Sequence, residues 1–133
     1  MHPLRLVPYL WTAPNTLLGL LLVPVAWCSG GTIELVHGVL EVHGRFIAWL
    51  LRRMVPLPGG AAALTLGHVV IGRDTPTLAA CRRHEAVHVA QYERWGPFFI
   101  PAYFMASAIA YLRGGDPYRD NVFERAAFMQ EGR

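Results

Sequence analysis

Five consecutive residues, His84-Glu85-Ala86-Val87-His88, carry the clearest chemical signal in this chain of 133 residues. On a helix, two histidines four residues apart project from the same face, so both imidazoles can reach one cation at about 2.0–2.1 Å. Glu85 then lies where it can accept a proton from a water molecule activated by that cation. The spacing therefore predicts a Zn2+ site with His84 and His88 as metal ligands and Glu85 as the catalytic general base.

A third metal ligand has to come from elsewhere in the chain, because catalytic zinc sites usually take three ligands from the protein. Glu124, which follows on a separate predicted helix, is the main candidate. The pair Asn121 and Glu124 also has the spacing of a capping box, in which Glu124 would bond the N-terminus of its own helix. Asp116 in Gly-Gly-Asp-Pro is a competing ligand, and Cys81 is another, although a small buried thiol is the simpler interpretation of Cys81.

The histidine motif requires a helix, and the flanking residues supply its two ends. Thr75 offers an N-cap with Pro76 at the first helical position. Trp95-Gly96-Pro97 would stop the helix after about Arg94. The sequence therefore places the motif in the middle of a long helix.

Two further helices are predicted after the motif. Residues 98–112 form an uncharged apolar segment that is typical of a core helix, with a kink at Pro101. Asp120 or Asn121 can cap a last helix from Val122 to about residue 130. This last helix would carry Glu124 to the histidines.

The middle of the chain consists of short β-rich runs between glycines. Residues 33–36 and 39–42 flank His37-Gly38, which predicts a hairpin with a tight turn. Residues 64–71 predict a further strand, bent or turned at Gly67-His68. Together these runs predict a small antiparallel sheet.

The N-terminal segment, residues 1–29, is apolar and predicts membrane association. No charged residue lies between Leu6 and Ile33, but Pro8, Pro14 and Pro24 interrupt the run. A helix starting near Pro14 would be shorter than the roughly 20 residues that a simple span needs. Spanning the bilayer, lying on it and packing as a buried helix remain alternatives.

Composition and charge narrow the class of partner. The formal charge is +3, and the basic residues are arginines spread along the chain, so no nucleic-acid partner is expected. Cys28 and Cys81 form no Cys-x-x-Cys motif, which fits a reducing compartment. Most arginines follow the apolar N-terminus, which favours a cytoplasmic protein at the inner face of the membrane.

The histidine motif and the string Glu124-Arg125-Ala126-Ala127 together resemble the gluzincin group of zinc metallopeptidases, including its CAAX prenyl proteases and antibiotic-sensing receptor peptidases. The longer strings HEAVHVAQYERWGPFF and NVFERAA are similar to small bacterial proteins with the pattern H-E-x-x-H-x-x-Q-Y-E-R-W-G followed by N-P-F-E-x-E-A. The resemblance covers residues 64–128.

This resemblance implies that His84, His88 and Glu124 bind the metal and that Glu85 is the base. The sequence departs from the family pattern at two positions. Val122 stands in place of a proline, and Phe128 stands where an aspartate would orient a ligand histidine.

The sequence thus predicts one α+β domain over residues 1–133. The expected architecture is a zincin-like mini-domain with a small antiparallel sheet, the HExxH helix, an apolar connecting helix and a C-terminal ligand helix. Its predicted function is a zinc metallopeptidase acting on a peptide or protein substrate. The alternative is a non-catalytic binding or scaffold protein with a structural zinc site. His68, Tyr118 and Arg125 are the candidates for stabilising the oxyanion of a peptidase.

Overall fold

Six helices and four short strands make up the part of the chain that this computed structural model describes, residues 6–55 and 59–131. In chain order they are α1 (Leu6–Leu20), α2 (Val23–Cys28), β1 (Thr32–Val36), β2 (Val39–His43), α3 (Arg45–Arg53), β3 (Ala63–Leu66), β4 (Val69–Gly72), α4 (Thr75–Trp95), α5 (Phe99–Leu112) and α6 (Val122–Glu131). A 3-10 turn, Gly96–Phe98, joins α4 to α5. The fold is α+β, as predicted.

The four strands form one mixed sheet in the order β1-β2-β4-β3. The hairpin at His37-Gly38 is confirmed, and both turn residues have positive φ, as a tight two-residue hairpin turn requires. The chain also turns at Gly67-His68, so that residues 64–71 contribute to two antiparallel strands. The prediction of an antiparallel sheet is wrong for the central pair, since β2 and β4 run parallel. The segment through α3 and β3 provides the long crossover that parallel neighbours need.

Helices cover both faces of this sheet. On one face, β2 and β4 contribute Val42, Val69 and Ile71 to a core that is completed by residues of α2 and α3, including Ala26 and Ile47. On the other face, Val70 packs with Leu78 and Val89 of α4. Because residues along a strand alternate between faces, the short β4 serves both cores.

Helix α4 is capped at its start and is joined to the second face of the sheet by an ion pair. Its N-cap is Asp74 rather than the predicted Thr75, because the Asp74 carboxylate accepts a hydrogen bond of 2.8 Å from the Thr77 amide. Further along, Arg82 donates two hydrogen bonds of 2.8 and 2.9 Å to the buried Glu41 carboxylate on β2. The contact between Arg82 and Glu41 ties α4 to β2 two residues before His84.

Helix α1 differs from the prediction in its start and in its treatment of proline. It is already helical at Leu6 and continues through Pro14. Its inner face is held by side-chain bonds to the backbone of neighbouring elements: Thr12 donates to the Tyr92 carbonyl and Asn15 to the Gly96 carbonyl. These bonds help to hold the helix where Pro14 removes an internal one.

Helix α5 is not the buried, kinked core helix that the sequence predicts. Pro101 lies in its first turn, where an amide has no helical acceptor to lose, so no kink is required there. Only Phe99 and Ala110 of this helix are buried. Most of its apolar side chains face outward instead.

Candidate metal centre

Three ligand atoms from two helices meet beside the sheet. His84 Nε2 and His88 Nε2 of α4 each lie 3.0 Å from the same oxygen of Glu124, Oε1, on α6. All three residues are buried, and within the described residues they form the group that could hold a metal ion. The histidines come together because of their spacing on one helix, whereas Glu124 arrives through the packing of α6 on α4.

The spacing of these atoms fits a cation. Tetrahedral zinc bonds of about 2.0–2.1 Å place neighbouring ligand atoms roughly 3.3 Å apart, so the 3.0 Å separations would have to widen by only a few tenths of an ångström. Two imidazole nitrogens and one carboxylate oxygen are also a donor set that suits zinc. The three ligand atoms all lie within 4.8 Å of one another, so these residues form a group that could close on one metal ion.

Glu124 faces the histidines and not its own helix terminus. Asn121 caps α6 by accepting a hydrogen bond of 2.9 Å from the Phe123 amide, which confirms the predicted cap. The Glu124 carboxylate is instead bonded to His84, His88 and Tyr103. The ligand interpretation of Glu124 thus agrees with the geometry better than the capping box does.

His88 and Glu124 each stabilise the charged form of the other. Burial raises the pKa of Glu124, but hydrogen bonds from His84, His88 and Tyr103 and the charge of His88 lower it to about 2. Burial lowers the pKa of His88, but its contacts with Glu124 outweigh this effect, so the pKa is raised overall. The carboxylate is therefore ionised and ready to accept a positive charge.

Gln91 determines which nitrogen of His88 carries a proton. Its amide group donates a hydrogen bond of 3.0 Å to the Phe123 carbonyl, so its oxygen faces His88 Nδ1 at 2.9 Å. An amide oxygen only accepts, so Nδ1 must be the protonated nitrogen. In the neutral imidazole the Nε2 lone pair of His88 is then free, so a metal that replaced the proton shared with Glu124 could bind there.

Tyr103 supports the third ligand from α5. Its hydroxyl donates a hydrogen bond of 2.5 Å to Glu124 Oε2, the oxygen that does not meet the histidines. Burial and the neighbouring Glu124 raise the pKa of Tyr103, so the hydroxyl remains a donor at neutral pH. The sequence placed this residue only within the apolar segment 98–112, because its partner lies 21 residues away.

Glu85 lies on the sheet side of the site, next to strand β3. Its Oε2 accepts a hydrogen bond of 2.6 Å from the Thr65 hydroxyl. Burial raises the pKa of Glu85, although His88, Thr65 and His84 oppose that rise. A raised pKa makes this carboxylate a stronger base than an exposed glutamate, which favours a role in proton transfer.

The competing ligands do not join this group. Asp116 instead accepts bonds from the backbone amides of Tyr118 and Arg119 in the turn before α6, and these bonds lower its pKa. Cys81 is partly buried on α4, and it is not among the residues that converge. Of the alternatives weighed from the sequence, Glu124 alone meets both histidines.

The three oxyanion candidates are placed differently. His68 is buried under the ring of Tyr9, with its Nε2 2.9 Å from a Glu93 carboxylate oxygen. Arg125 is exposed on α6. Tyr118 is half-buried, and burial together with the charges of Glu124 and Glu85 raises the pKa of its hydroxyl.

Aromatic rings surround the candidate site, Phe128 among them. Phe128 packs edge-on against His84 with a centroid distance of 4.7 Å, so an apolar ring contacts this ligand. Phe99 packs against Tyr92, Tyr103 and Phe123, behind the ligands. Because Phe128 is apolar, the polar contacts to the candidate ligands come from Gln91, which bonds His88, and from Tyr103, which bonds Glu124.

Fold and site together define a small α+β domain with a buried group of two histidines and one glutamate able to hold a metal ion. Comparisons of this chain with protein-family models, with curated proteins and with solved structures found no match.

Proposed function

We propose that this protein is a zinc metallopeptidase of the gluzincin type. One observation carries the proposal: His84, His88 and Glu124 converge on one point, and Glu85 of the same motif is buried beside them. Three protein ligands with an adjacent carboxylate are the minimum for zinc-assisted hydrolysis, which leaves a coordination position for water or substrate.

The chemistry follows from the roles of the side chains. Bound zinc would supply a Lewis acid that makes water acidic near neutral pH and polarises a carbonyl. Glu85 accepts the proton of the attacking water and passes it to the leaving amine, a task for which its raised pKa is suited. Tyr103 holds Glu124 through the second carboxylate oxygen, and Gln91 holds the tautomer of His88.

We propose strand β3 as the edge to which an extended peptide substrate adds. It is an edge strand, packed against α4, and it carries the Thr65 hydroxyl that bonds Glu85. A peptide that added to this edge would lie along the motif helix. Part of the strand is already occupied, since the Thr65 carbonyl accepts a bond of 2.9 Å from Tyr92. A proline at a free position of β3 that left hydrolysis unchanged would exclude this binding mode.

A structural zinc site in a binding or scaffold protein is the second candidate. It is favoured by the burial of the site, since His84, Glu85, His88 and Glu124 are each at most 7% exposed. Structural zinc sites are closed, whereas catalytic sites keep a position open to water. The two candidates share the metal ligands and differ in the role of Glu85.

Two substitutions separate these candidates. Glu124→Ala should remove or weaken one zinc per chain, measured by elemental analysis after purification and zinc supplementation. Glu85→Gln should keep zinc and fold but abolish hydrolysis in a peptide-library screen. Full zinc retention in Glu124→Ala would exclude the three-ligand site. A wild-type protein that binds zinc but cleaves no peptide, with no change in Glu85→Gln, would support the scaffold.

A further inference from the structure

Helix α1 buries polar side chains and exposes large apolar ones, the reverse of a surface helix in a water-soluble domain. Its buried positions are Thr12, Asn15 and Gly19, and the first two bond the backbone of α4 and the 3-10 turn. Its exposed large side chains are apolar, namely Leu6, Val7, Leu10, Trp11, Leu17, Leu18 and Leu20. Helices at an aqueous surface normally show the reverse arrangement.

Helix α5 shows the same inversion. Its inner face carries Tyr103, which bonds Glu124, and Ser107, whose hydroxyl accepts a bond of 2.8 Å from Asn121. Its outer face is an apolar stripe at helical spacing, made of Phe104, Met105, Ile109 and Leu112. The polar groups of this helix therefore point to the metal centre, and its large apolar groups point away.

The two apolar faces meet at the corner between α4 and α5. The Trp11 and Phe98 rings lie 6.0 Å apart, and the Trp11 indole donates to the Arg94 carbonyl at 3.4 Å. The 3-10 turn that contains Phe98 packs along α1. Helix α1 thus contacts the turn that leads directly into α5, and we call the outer faces of α1 and α5 together the apolar surface.

Basic side chains flank the apolar segment of α5, whereas the exposed acidic residues Asp116 and Asp120 lie further along, in the loop before α6. Residues 95–112 contain no charged side chain, and exposed arginines, Arg94 and Arg113, stand at the two ends of this segment. Exposed Trp95 and Tyr111 lie next to them, and amphipathic aromatic rings of this kind favour the boundary between water and lipid. A basic rim complements the phosphates of anionic lipids.

By length and composition alone, two helical stretches, Leu6–Cys28 and Thr75–Leu112, are sufficient to cross a membrane. In the structure, neither stretch forms one regular helix. The first is divided between α1 and α2, and the second contains the metal motif followed by α5, whose 14 residues extend about 21 Å. That length is less than the roughly 30 Å of a bilayer core.

We propose that the apolar surface lies in the headgroup and acyl boundary of an anionic bilayer, with α1 and α5 immersed in one leaflet. The proposal depends on the polarity of the two helices and not on the metal, so it stands or falls separately from the peptidase. It extends membrane contact beyond the N-terminal segment to a second helix that also supports the metal centre.

Vesicle flotation with a matched pair of variants tests this proposal. Phe104→Gln/Ile109→Gln alters side chains that are 66% and 44% exposed on α5. Trp49→Gln/Met54→Gln alters side chains that are 46% and 66% exposed at α3, on the other side of the sheet from α4. The probe is phosphatidylcholine vesicles with a minority of phosphatidylglycerol, and far-UV circular dichroism checks that each variant is folded.

We expect the wild type and the α3 control to float with these vesicles, and the α5 variant to partition at least roughly tenfold more weakly. Binding to pure phosphatidylcholine should be weaker as well, by roughly fivefold for each rim arginine that contacts lipid. If the α5 variant fails to fold, Leu10→Gln/Leu17→Gln on α1 takes its place, with the same expectation.

Three results would overturn the proposal. The wild type could remain in the dense fraction with both vesicle types. The α5 and α1 variants could float as well as the wild type does. The wild type could also fail to bind vesicles and form a dimer instead. If light scattering showed that Phe104→Gln/Ile109→Gln is a monomer, a second copy of the chain would be what covers the surface.

Discussion

Replacing Gln91 by leucine should weaken zinc binding without touching a metal ligand. The substitution keeps the approximate volume of the side chain but removes the oxygen that lies 2.9 Å from His88 Nδ1. Without that acceptor, His88 can place its proton on Nε2, the nitrogen that faces Glu124. Removal of such a support typically lowers metal affinity by 10- to 100-fold, which corresponds to about 1.4–2.7 kcal/mol.

The two hydrogen bonds of Gln91 can be tested separately. Gln91→Glu keeps an acceptor for His88 but loses the donor to the Phe123 carbonyl. Its zinc affinity should stay close to that of the wild type, while the free energy of unfolding falls by about 0.5–1.5 kcal/mol or more. Gln130→Leu, at an exposed glutamine of α6, is the control for the change of residue type.

The assay is competition for zinc with a chromophoric chelator, combined with denaturant unfolding of the metal-free proteins. The expected order of affinity is wild type, Gln130→Leu and Gln91→Glu together, with Gln91→Leu well below. If Gln91→Leu bound zinc as tightly as the wild type, Gln91 would not control the tautomer of His88.

Three further predictions concern the ligand on α6. Tyr103→Phe removes the donor to Glu124 Oε2, so it should lower the free energy of unfolding by about 1.5–3 kcal/mol and also weaken zinc binding; unchanged values in both assays would contradict this. Asn121→Ala loses the cap of α6 and the bonds to the Tyr103 carbonyl and Ser107, for an expected cost of about 2–4 kcal/mol in chemical denaturation; Asn121→Asp keeps the cap and should cost less. The metal-free protein should lose stability as pH falls from about 4.5 towards 2, because the folded pKa of Glu124 is depressed to about 2 and its favourable contribution disappears on protonation. Glu124→Gln should flatten this part of a stability profile measured by thermal unfolding, and an unchanged profile would show that other groups control it.

Local patterns predicted the parts of the site that a single element determines. The separation of His84 and His88 decides their common face whatever surrounds the helix, and the cap at Asn121 depends on its immediate neighbours. The hairpin at His37-Gly38 is local in the same sense. Glu124 was found because the chemistry needed a third ligand, and not because any local pattern required its approach.

Contacts between distant segments explain what the sequence did not predict. The parallel pairing of β2 and β4 depends on how two hairpins lie side by side, which neither hairpin encodes alone. Tyr103 looks like one aromatic among many until α6 is packed against α5. The predicted N-cap of α4 was wrong by one residue. Asp74 and Thr75 both carry suitable acceptors, and only the direction of the chain entering α4 decides between them.

The thickness of helix α5 determines how far the candidate metal centre lies from a membrane that contacts the outer face of the helix. Its inner face holds Glu124 through Tyr103, and its outer face carries Phe104 and Met105. A helix with its side chains is about 10–12 Å thick. If the outer face lies in lipid, the metal centre stands roughly that far from the acyl boundary, a distance that an extended chain covers in about three residues. If the protein is also the peptidase proposed above, the bonds within reach would be those a few residues from the point where a polypeptide enters the membrane, and position along the target chain would select the cleavage site before any side-chain preference.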